Sequence, residues 1–283
     1  MGVDGSPQGR IGPALTQYTP RVSPDGTRVA VDIEDMASSN IDIWIWDLNR
    51  SIRTRLTFDA NTDRTPVWSP DGRELAFYSA REAGRGLYVK SADGTGEARL
   101  VAASAERLFP MSWSPDGRLI SYVEAVGADA DIWVAHADIS EPPRPFLKTP
   151  FAEWDGMFSP DGRWLALTSE ESGREEVYVT PFPGPGSKWQ VSTNEGDRPR
   201  WSPDGKHLYY LDNDDHLNIA EIDGSGPAFS VGRVRQLHEL NPSRPGAIYD
   251  LFPDGERLVI NHRLGMSQLT RLVLVQNWTE ELR

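Results

Sequence analysis

Apolar and polar residues alternate in many short segments along this chain. Val29 and Val31, Leu165 and Leu167, and Leu258 and Ile260 form three of six pairs in which one residue separates two apolar positions. A period of two predicts strands with one buried face. The longest apolar runs, such as 272–275, are far shorter than the roughly 20 residues that cross a bilayer. The pattern therefore predicts an all-β protein of many short strands, with no membrane insertion by this chain.

A tetrapeptide marks each of these segments. Ser-Pro-Asp-Gly occurs five times, and a sixth copy has Phe in place of Ser. The aspartates of the six copies are Asp25, Asp71, Asp116, Asp161, Asp204 and Asp254, separated by 46, 45, 45, 43 and 50 residues. Pro presets φ, Asp accepts backbone N–H groups and Gly takes a positive φ, which together predict a hairpin turn. Six units of this length are typical of propeller blades.

Each unit predicts four strands, two around the turn and two after it. Ile132-Trp133-Val134 is one of the predicted third strands, and Arg55-Leu56-Thr57 and Gln190-Val191-Ser192 are two of the predicted fourth strands. The sixth unit has no fourth strand after it, but Ala14-Leu15-Thr16 precedes the first unit. We therefore expect one domain, residues 1–283, that is an all-β, six-bladed β-propeller of four-stranded antiparallel blades, its ring closed by an N-terminal strand.

Composition narrows the classes of function. Hydrophobic residues make up 38% of the chain, which includes ten Trp, enough for a sizeable core, so disorder is excluded. A net charge of -13 argues against nucleic acid as a partner. The absence of Cys excludes disulfides, Cys-ligated zinc and thiol nucleophiles. The first ten residues lack a cationic start followed by an apolar block, so we expect no signal peptide in this chain.

The repeat also resembles a known family. Units of the form Pro-x-Trp-Ser-Pro-Asp-Gly-x-x-Leu-Ala-Phe, followed by Leu-Tyr-Val and Asp-Gly, resemble the TolB-like six-bladed β-propellers. Residues 177–184, 188–192, 199–201 and 277–279 are most similar to the propeller that follows the membrane span in bacterial serine/threonine protein kinases, although this chain contains no kinase motif. The resemblance implies a ligand-sensing or protein-binding module. It also implies a periplasmic or other extracytoplasmic location in bacteria.

No complete catalytic motif is present. The chain lacks a Gly-x-Ser-x-Gly elbow, and Gly224-Ser225-Gly226 is interpreted as a surface turn. Residues 184–188 superficially suggest a phosphate loop, but Pro185 has no N–H with which to bind phosphate. We therefore expect a non-catalytic binding or sensing module. The alternative is a metal-dependent hydrolase of esters, lactones or phosphoesters, with its site at the mouth of the central channel.

Residues of mixed charge, with two aromatic rings, are predicted to surround that mouth. They fall between units, in loops on the face opposite the turns, and are Tyr18, Arg64, Arg107, Glu153, Trp154, Asp155, Asp197 and Arg198. Such a set suits a peptide, a protein or a small polar ligand bound by a monomer, and ordinary loop residues with local ion pairs are the alternative. Trp68, Trp113 and Trp201 recur at one repeat position and are interpreted as core residues, whereas Trp154 is expected to be an exposed contact.

Two sets of residues are candidates for a divalent metal. His216, His238 and His262 are predicted to lie on the same face as Asp212, and imidazoles with carboxylates bind transition metals. Asp59 and Asp63 belong to a run of alternating oxygen ligands like that of a calcium loop, without its Gly and distal Glu. The alternatives are three unrelated surface histidines and an ordinary solvated loop.

Overall fold

The six predicted blades are present in the computed structural model of the chain. It describes residues 9–82, 84–184, 186–226, 228–240, 249–263 and 270–276. These residues form 24 strands and no helix. The strands assemble into six four-stranded antiparallel sheets, so the predicted fold class, an all-β six-bladed propeller, is confirmed.

The strands follow the repeat in chain order. The first twelve are β1 (Gly9–Leu15), β2 (Arg21–Val22), β3 (Arg28–Glu34), β4 (Ile41–Asp47), β5 (Ile52–Arg55), β6 (Asp63–Trp68), β7 (Glu74–Ser79), β8 (Gly86–Ser91), β9 (Arg99–Ala103), β10 (Arg107–Trp113), β11 (Leu119–Val126) and β12 (Asp129–His136). The second twelve are β13 (Arg144–Leu147), β14 (Glu153–Phe158), β15 (Trp164–Ser169), β16 (Glu176–Pro181), β17 (Trp189–Gln190), β18 (Asp197–Trp201), β19 (His207–Leu211), β20 (His216–Asp223), β21 (Ser230–Glu239), β22 (Tyr249–Leu251), β23 (Arg257–Arg263) and β24 (Thr270–Gln276).

Five blades use four consecutive strands each. Blades one to five are β2-β3-β4-β5, β6-β7-β8-β9, β10-β11-β12-β13, β14-β15-β16-β17 and β18-β19-β20-β21. By internal contacts the chain divides into two compact units, which we call unit 1 (Met1–Arg99 and Leu240–Arg283) and unit 2 (Leu100–Glu239).

Blade six combines strands from distant parts of the sequence. Its order is β1-β24-β23-β22, and Gly9 pairs with Leu274 while Leu15 pairs with Thr270. The Thr270 hydroxyl also donates to the Leu15 carbonyl at 3.2 Å. The prediction that an N-terminal strand completes this blade is confirmed, but the strand begins earlier than predicted, at Gly9, and ends at Leu15.

The Ser-Pro-Asp-Gly turns share one hydrogen-bond pattern. In the second copy Gly72 N donates to the Ser69 carbonyl at 2.9 Å, and Ser69 Oγ donates to Asp71 Oδ1 at 2.7 Å. The same Ser69 oxygen accepts the N–H of Glu74 at 2.9 Å, and Asp71 Oδ1 accepts that of Arg73 at 3.0 Å. Gly72 has φ of 68°, which favours glycine. The serine bonds recur in the other four copies.

Two of the predicted fourth strands are shifted. The ladder of β5 stops at Arg55 because the N–H groups of Leu56 and Thr57 both approach the carbonyl of Ile43, at 2.8 and 3.4 Å. The Ile43 N–H donates to the Thr57 hydroxyl at 3.0 Å instead of to a backbone carbonyl. In blade four the Ser192 hydroxyl accepts the Val177 N–H at 2.7 Å in the same way, and β17 ends at Gln190.

The recurring tryptophans lie in the core, as predicted. Trp68 and Trp113 are buried and Trp201 is half-buried. Within unit 1 the Trp68 indole donates to the Arg21 carbonyl of the preceding blade at 3.0 Å. Within unit 2 the Trp201 indole donates to the Met157 carbonyl of its preceding blade, also at 3.0 Å. The indole at this repeat position therefore joins neighbouring blades in these two cases, whereas the Trp113 indole donates to the Gly117 carbonyl of its own turn at 2.9 Å.

Candidate functional site

Eight residues were predicted to lie in loops around a channel mouth, and seven of them lie in strands instead. Tyr18 precedes β2, but the other seven are the first, second or third residues of innermost strands. The reason is that pairing with the second strand extends to the start of each strand, as in Glu153 with Ser169 and Asp197 with Leu211. We call these eight residues the strand-entrance residues.

A bulge follows the strand entrance in four blades. The register shifts between Arg64 and Val67, between 110 and 112, between 155 and 157, and between 197 and 200. Three non-glycine residues in these bulges, Thr65, Asp155 and Arg198, have φ of 54°, 68° and 54°. Each lies six residues before its turn aspartate. Left-handed backbone costs of order 1 kcal/mol or more at such residues, and bulges redirect side chains at binding sites.

Tyr18 and Arg64 lie together in unit 1. The Tyr18 hydroxyl donates to Glu34 Oε2 at 2.6 Å, and the Arg64 guanidinium lies 4.9 Å from the centre of the Tyr18 ring. Burial, together with the hydrogen bond to Glu34, raises the pKa of Tyr18 to about 12, so its hydroxyl is a donor at neutral pH. Arg64 Nε is buried and has no hydrogen-bond partner among the described residues. This pair therefore offers a half-buried aromatic ring beside a guanidinium cation, whose unpartnered Nε is itself buried.

Glu153 is a buried acid in unit 2. Its side chain is fully buried, and the Thr149 hydroxyl donates to Oε1. Within the described part of the chain Oε2 has no hydrogen-bond partner. Burial raises the pKa of Glu153, while the Thr149 hydrogen bond and the positive charge of Lys188 oppose the shift. The expectation of a loop carboxylate is wrong for Glu153, because its strand pairing holds it in the interior.

Trp154 was expected to be an exposed contact, but its side chain is half-buried. Its ring packs edge to face against Phe109, with ring centres 5.7 Å apart. Phe109 was not among the predicted site residues. The repeat could have identified it, because Phe109 and Trp154 both lie seven residues before their turn aspartates, Asp116 and Asp161.

Asp155 connects the strand entrances of blades four and five. Its buried Oδ2 accepts the Thr168 hydroxyl at 2.8 Å and the Arg198 N–H at 3.2 Å. Arg198 forms an ion pair with the preceding Asp197. Asp155 is therefore a structural link between blades, and the Asp197–Arg198 pair is the half-buried charged part of this entrance. Arg107, at the start of β10, is exposed.

The candidate calcium ligands face an arginine. Asp63 is buried and lies 3.3 Å from Arg81, whose Nε is also 3.9 Å from Asp59 Oδ2. Asp59 Oδ1 accepts the Asn61 N–H at 2.9 Å. The guanidinium of Arg81 thus supplies the positive charge that these two carboxylates require.

The candidate histidines lie at strand ends away from the turns. Asp212 accepts hydrogen bonds from the His216 N–H at 2.9 Å, the Asn218 amide at 3.1 Å and the Gln236 amide at 3.0 Å. His216 Nδ1 is 3.3 Å from Asp212 Oδ1, while His262 pairs with Arg271 in β23 and β24.

The described residues show neither a metal-binding cluster nor a membrane-spanning helix. Within the described residues, no three His, Asp or Glu side chains are grouped so that they could hold a metal ion. In that same part of the chain, no helix is long and apolar enough to span a membrane.

Comparison with known proteins identifies relatives of the repeat. Residues 14–153 match the family described as the TolB beta propeller domain. The uncharacterized peptidase YuxL of Bacillus subtilis (strain 168) is 40% identical over 87 residues, which are 28% of this chain and 13% of that protein. The chain therefore spans a small part of this curated relative.

Solved structures share the fold at low identity. TolB from Acinetobacter baumannii superposes with a TM-score of 0.69 and 18% identity, over 90% of this chain and 65% of that one. An oligogalacturonate lyase in complex with manganese gives a TM-score of 0.65 and 12% identity, over 94% of this chain and 92% of the lyase. Identities this low show a common fold and carry no activity with them.

Proposed function

We propose that this six-bladed propeller, of which residues 14–153 match the TolB beta propeller domain, is a non-catalytic module that binds a peptide or protein segment at its strand entrances. The observation that carries the proposal is the left-handed bulge at one repeat position in blades two, four and five. Blade three shows that the repeat can form its turn and core without this strain, because its corresponding residue, Pro110, is not left-handed. Strained backbone at equivalent positions is typical of binding sites.

The side chains beside these bulges suit a peptide. In unit 1 Tyr18 presents a partly accessible ring beside the Arg64 guanidinium. In unit 2 Trp154 presents a partly accessible ring, and the Asp197–Arg198 pair contributes both signs of charge. Aromatic residues and arginine dominate the binding energy of protein interfaces. A small polar ligand of similar chemistry would use the same groups.

Selection of peptides against the whole protein tests this proposal. Peptides from a random display library would be selected on the purified chain, and their affinities measured for Arg64→Ala, Trp154→Ala and the control Arg73→Ala, an exposed arginine at a turn. We expect Arg64→Ala to weaken about tenfold or more the peptides that bind the unit 1 entrance, Trp154→Ala to do so for those that bind the unit 2 entrance, and the control to leave all of them unchanged. Selected peptides that bind all three variants as they bind the parent would overturn the proposal.

The alternative is a metal-dependent hydrolase. It is motivated by the peptidase and the manganese-containing lyase among the similar proteins. Ester, lactone and phosphoester panels with added Ca²⁺, Mn²⁺ or Zn²⁺ test it, and we expect no turnover. Turnover that is lost on chelation and with His262→Ala would instead establish the hydrolase.

The resemblance also suggests a setting for the module. We propose an extracytoplasmic location, by likeness to TolB-like propellers, and cell fractionation with an antibody to the chain would test it. The closer resemblance to propellers of bacterial protein kinases stays a prediction. The genomic context of the coding region would show whether a kinase and a membrane span are encoded with this sequence.

A further inference from the structure

The outermost strand of blade five differs from the other outermost strands. β21 has ten residues, whereas β5, β9, β13, β17 and β1 have four, five, four, two and seven. It is the last strand of its sheet, so among the described residues its outer edge has no strand partner. A strand edge without a partner presents backbone N–H and C=O groups that can pair with an added strand.

The surface of β21 leaves this edge accessible. Five of its residues, Ser230, Gly232, Arg233, Gln236 and Glu239, are exposed in addition to Val234, an apolar side chain that is 40% exposed. The register of β21 shifts at 232–233 and at 237–238, so the regular part of its edge, to which a strand could be added, is Val234–Gln236. The strand contains no proline or lysine, two residues that commonly protect edges from pairing.

The charge of the strand indicates what could pair with it. Arg233 and Arg235 flank Val234 in a chain whose net charge is -13. Glu221 lies beside Gly232, and Glu239 ends the strand, so the basic part is confined to 233–235. A second copy of β21 laid antiparallel would bring arginines towards arginines, which is unfavourable.

We propose that β21 is a second interaction surface, which takes up an extended acidic segment of another protein as a fifth strand of blade five. Backbone hydrogen bonds would provide affinity, and an acidic residue of the segment would pair with the exposed Arg233. An apolar residue of the segment would cover Val234. Addition of a strand to an exposed edge is an established mode of peptide recognition.

A synthetic peptide tests the proposal on the whole chain. The probe is a short acetylated peptide in which valine and glutamate alternate, compared with a lysine version and with a version N-methylated at alternate backbone nitrogens. We expect the glutamate peptide to bind and to slow hydrogen exchange of the β21 amides. The lysine and N-methylated peptides should bind at least about tenfold more weakly. Equal binding of the N-methylated peptide would overturn the proposal, because strand pairing would then contribute nothing.

Charge reversal provides the matched test on the protein. Arg233→Glu should weaken binding of the glutamate peptide about three- to tenfold, since an opposite-charge pair becomes a like-charge pair. The control is Arg144→Glu, an exposed arginine on β13, the short outer strand of blade three. An equal effect of both variants, or no binding of the glutamate peptide to the parent chain, would contradict the proposal. Arg64→Ala and Trp154→Ala should leave this binding unchanged, which separates it from the strand-entrance site.

Discussion

The serine of each repeated turn has two hydrogen-bonding roles. Ser69 Oγ donates to Asp71 and accepts the N–H of Glu74, so one hydroxyl fixes the turn aspartate and begins the second strand. The sixth copy has Phe252 in place of this serine, and there Asp254 Oδ1 accepts the N–H groups of Glu256 and Arg257 at 2.9 and 3.1 Å. The aspartate compensates for the missing hydroxyl, which explains why the degenerate copy still forms a turn.

Removal of one such hydroxyl should be costly. Ser69→Ala leaves the Glu74 N–H without its acceptor, and we expect the free energy of unfolding to fall by about 1–2 kcal/mol. Urea denaturation of the variant measures this difference. The control, Ser187→Ala, changes an exposed serine outside the turns and should fall within about 0.5 kcal/mol of the parent. Equal stability of the two variants would show that the turn serine contributes nothing.

A buried carboxylate should make stability depend on pH. Burial raises the pKa of Asp42 to about 6, against the opposing charge of Arg55 and with a contribution from Asp63. A raised pKa means that the folded chain binds the proton more tightly than the unfolded chain does. Stability therefore increases as pH falls through about 6 towards the ordinary aspartate value, and decreases as pH rises.

The substitution Asp42→Asn tests this linkage. Asn keeps a hydrogen-bonding side chain beside Thr57 but does not titrate. We expect the melting temperature of the parent to rise between pH 7 and pH 5, with a smaller rise in the variant. The slopes are compared by thermal unfolding at several pH values. Parallel curves would mean that Asp42 titrates as it does in the unfolded chain.

At the scale of strands and turns, much of the fold was predictable from sequence. Turn residues and period-two alternation depend on local chemistry, so all six hairpins and the third strands were predicted correctly. The fourth strands were predicted less well where a side chain replaces the backbone, as at Thr57 and Ser192. The bulges were not predicted, because a left-handed Asp155 or Arg198 carries no sequence signal of its own.

The hydrogen bond from the Trp68 indole to the preceding blade should contribute to the free energy of unfolding. Trp68→Phe removes the hydrogen bond to the Arg21 carbonyl, and we expect a loss of about 1–2 kcal/mol in unfolding free energy. Trp133→Phe is the matched control, since its buried Nε1 has no hydrogen-bond partner in the described structure. The control should cost less because it removes an unsatisfied donor. Chemical denaturation measures the unfolding free energy of both variants. A larger loss for Trp133→Phe than for Trp68→Phe would contradict this expectation.

At the scale of the whole chain, the sequence predicted the candidate residues in loops between blades, whereas the structure places all of them except Tyr18 in the first three residues of innermost strands. The sequence could not show that Glu153 is fully buried or that Asp63 pairs with Arg81, because both depend on how side chains pack within the folded blades. Glu34 was missed for the same reason, whereas Phe109 could have been found from its repeat position.

Blade six should be the most sensitive part of unit 1 to truncation. Deletion of residues 1–15 removes β1 and exposes the edge of β24, which carries the buried Leu272 and Val275. We expect a lower melting temperature and a less cooperative transition, measured by calorimetry. Substitution of the same fifteen residues by a Gly/Ser stretch is the control for length. A truncated chain that melts like the parent would show that β1 adds no stability.

The pairing of β1 with β24 also has a consequence for synthesis. The strand β1 is synthesised before its partner β24 and is separated from it by more than 250 residues, as the pair Leu15–Thr270 shows. Five blades can form from strands that are near each other in sequence, but blade six must wait until β24 has been synthesised. During that interval β1 is an unpaired segment in a crowded cell, where chaperones bind exposed strands. A nascent chain arrested before residue 270 would therefore carry this strand accessible to protease, and release of the last strand would protect it.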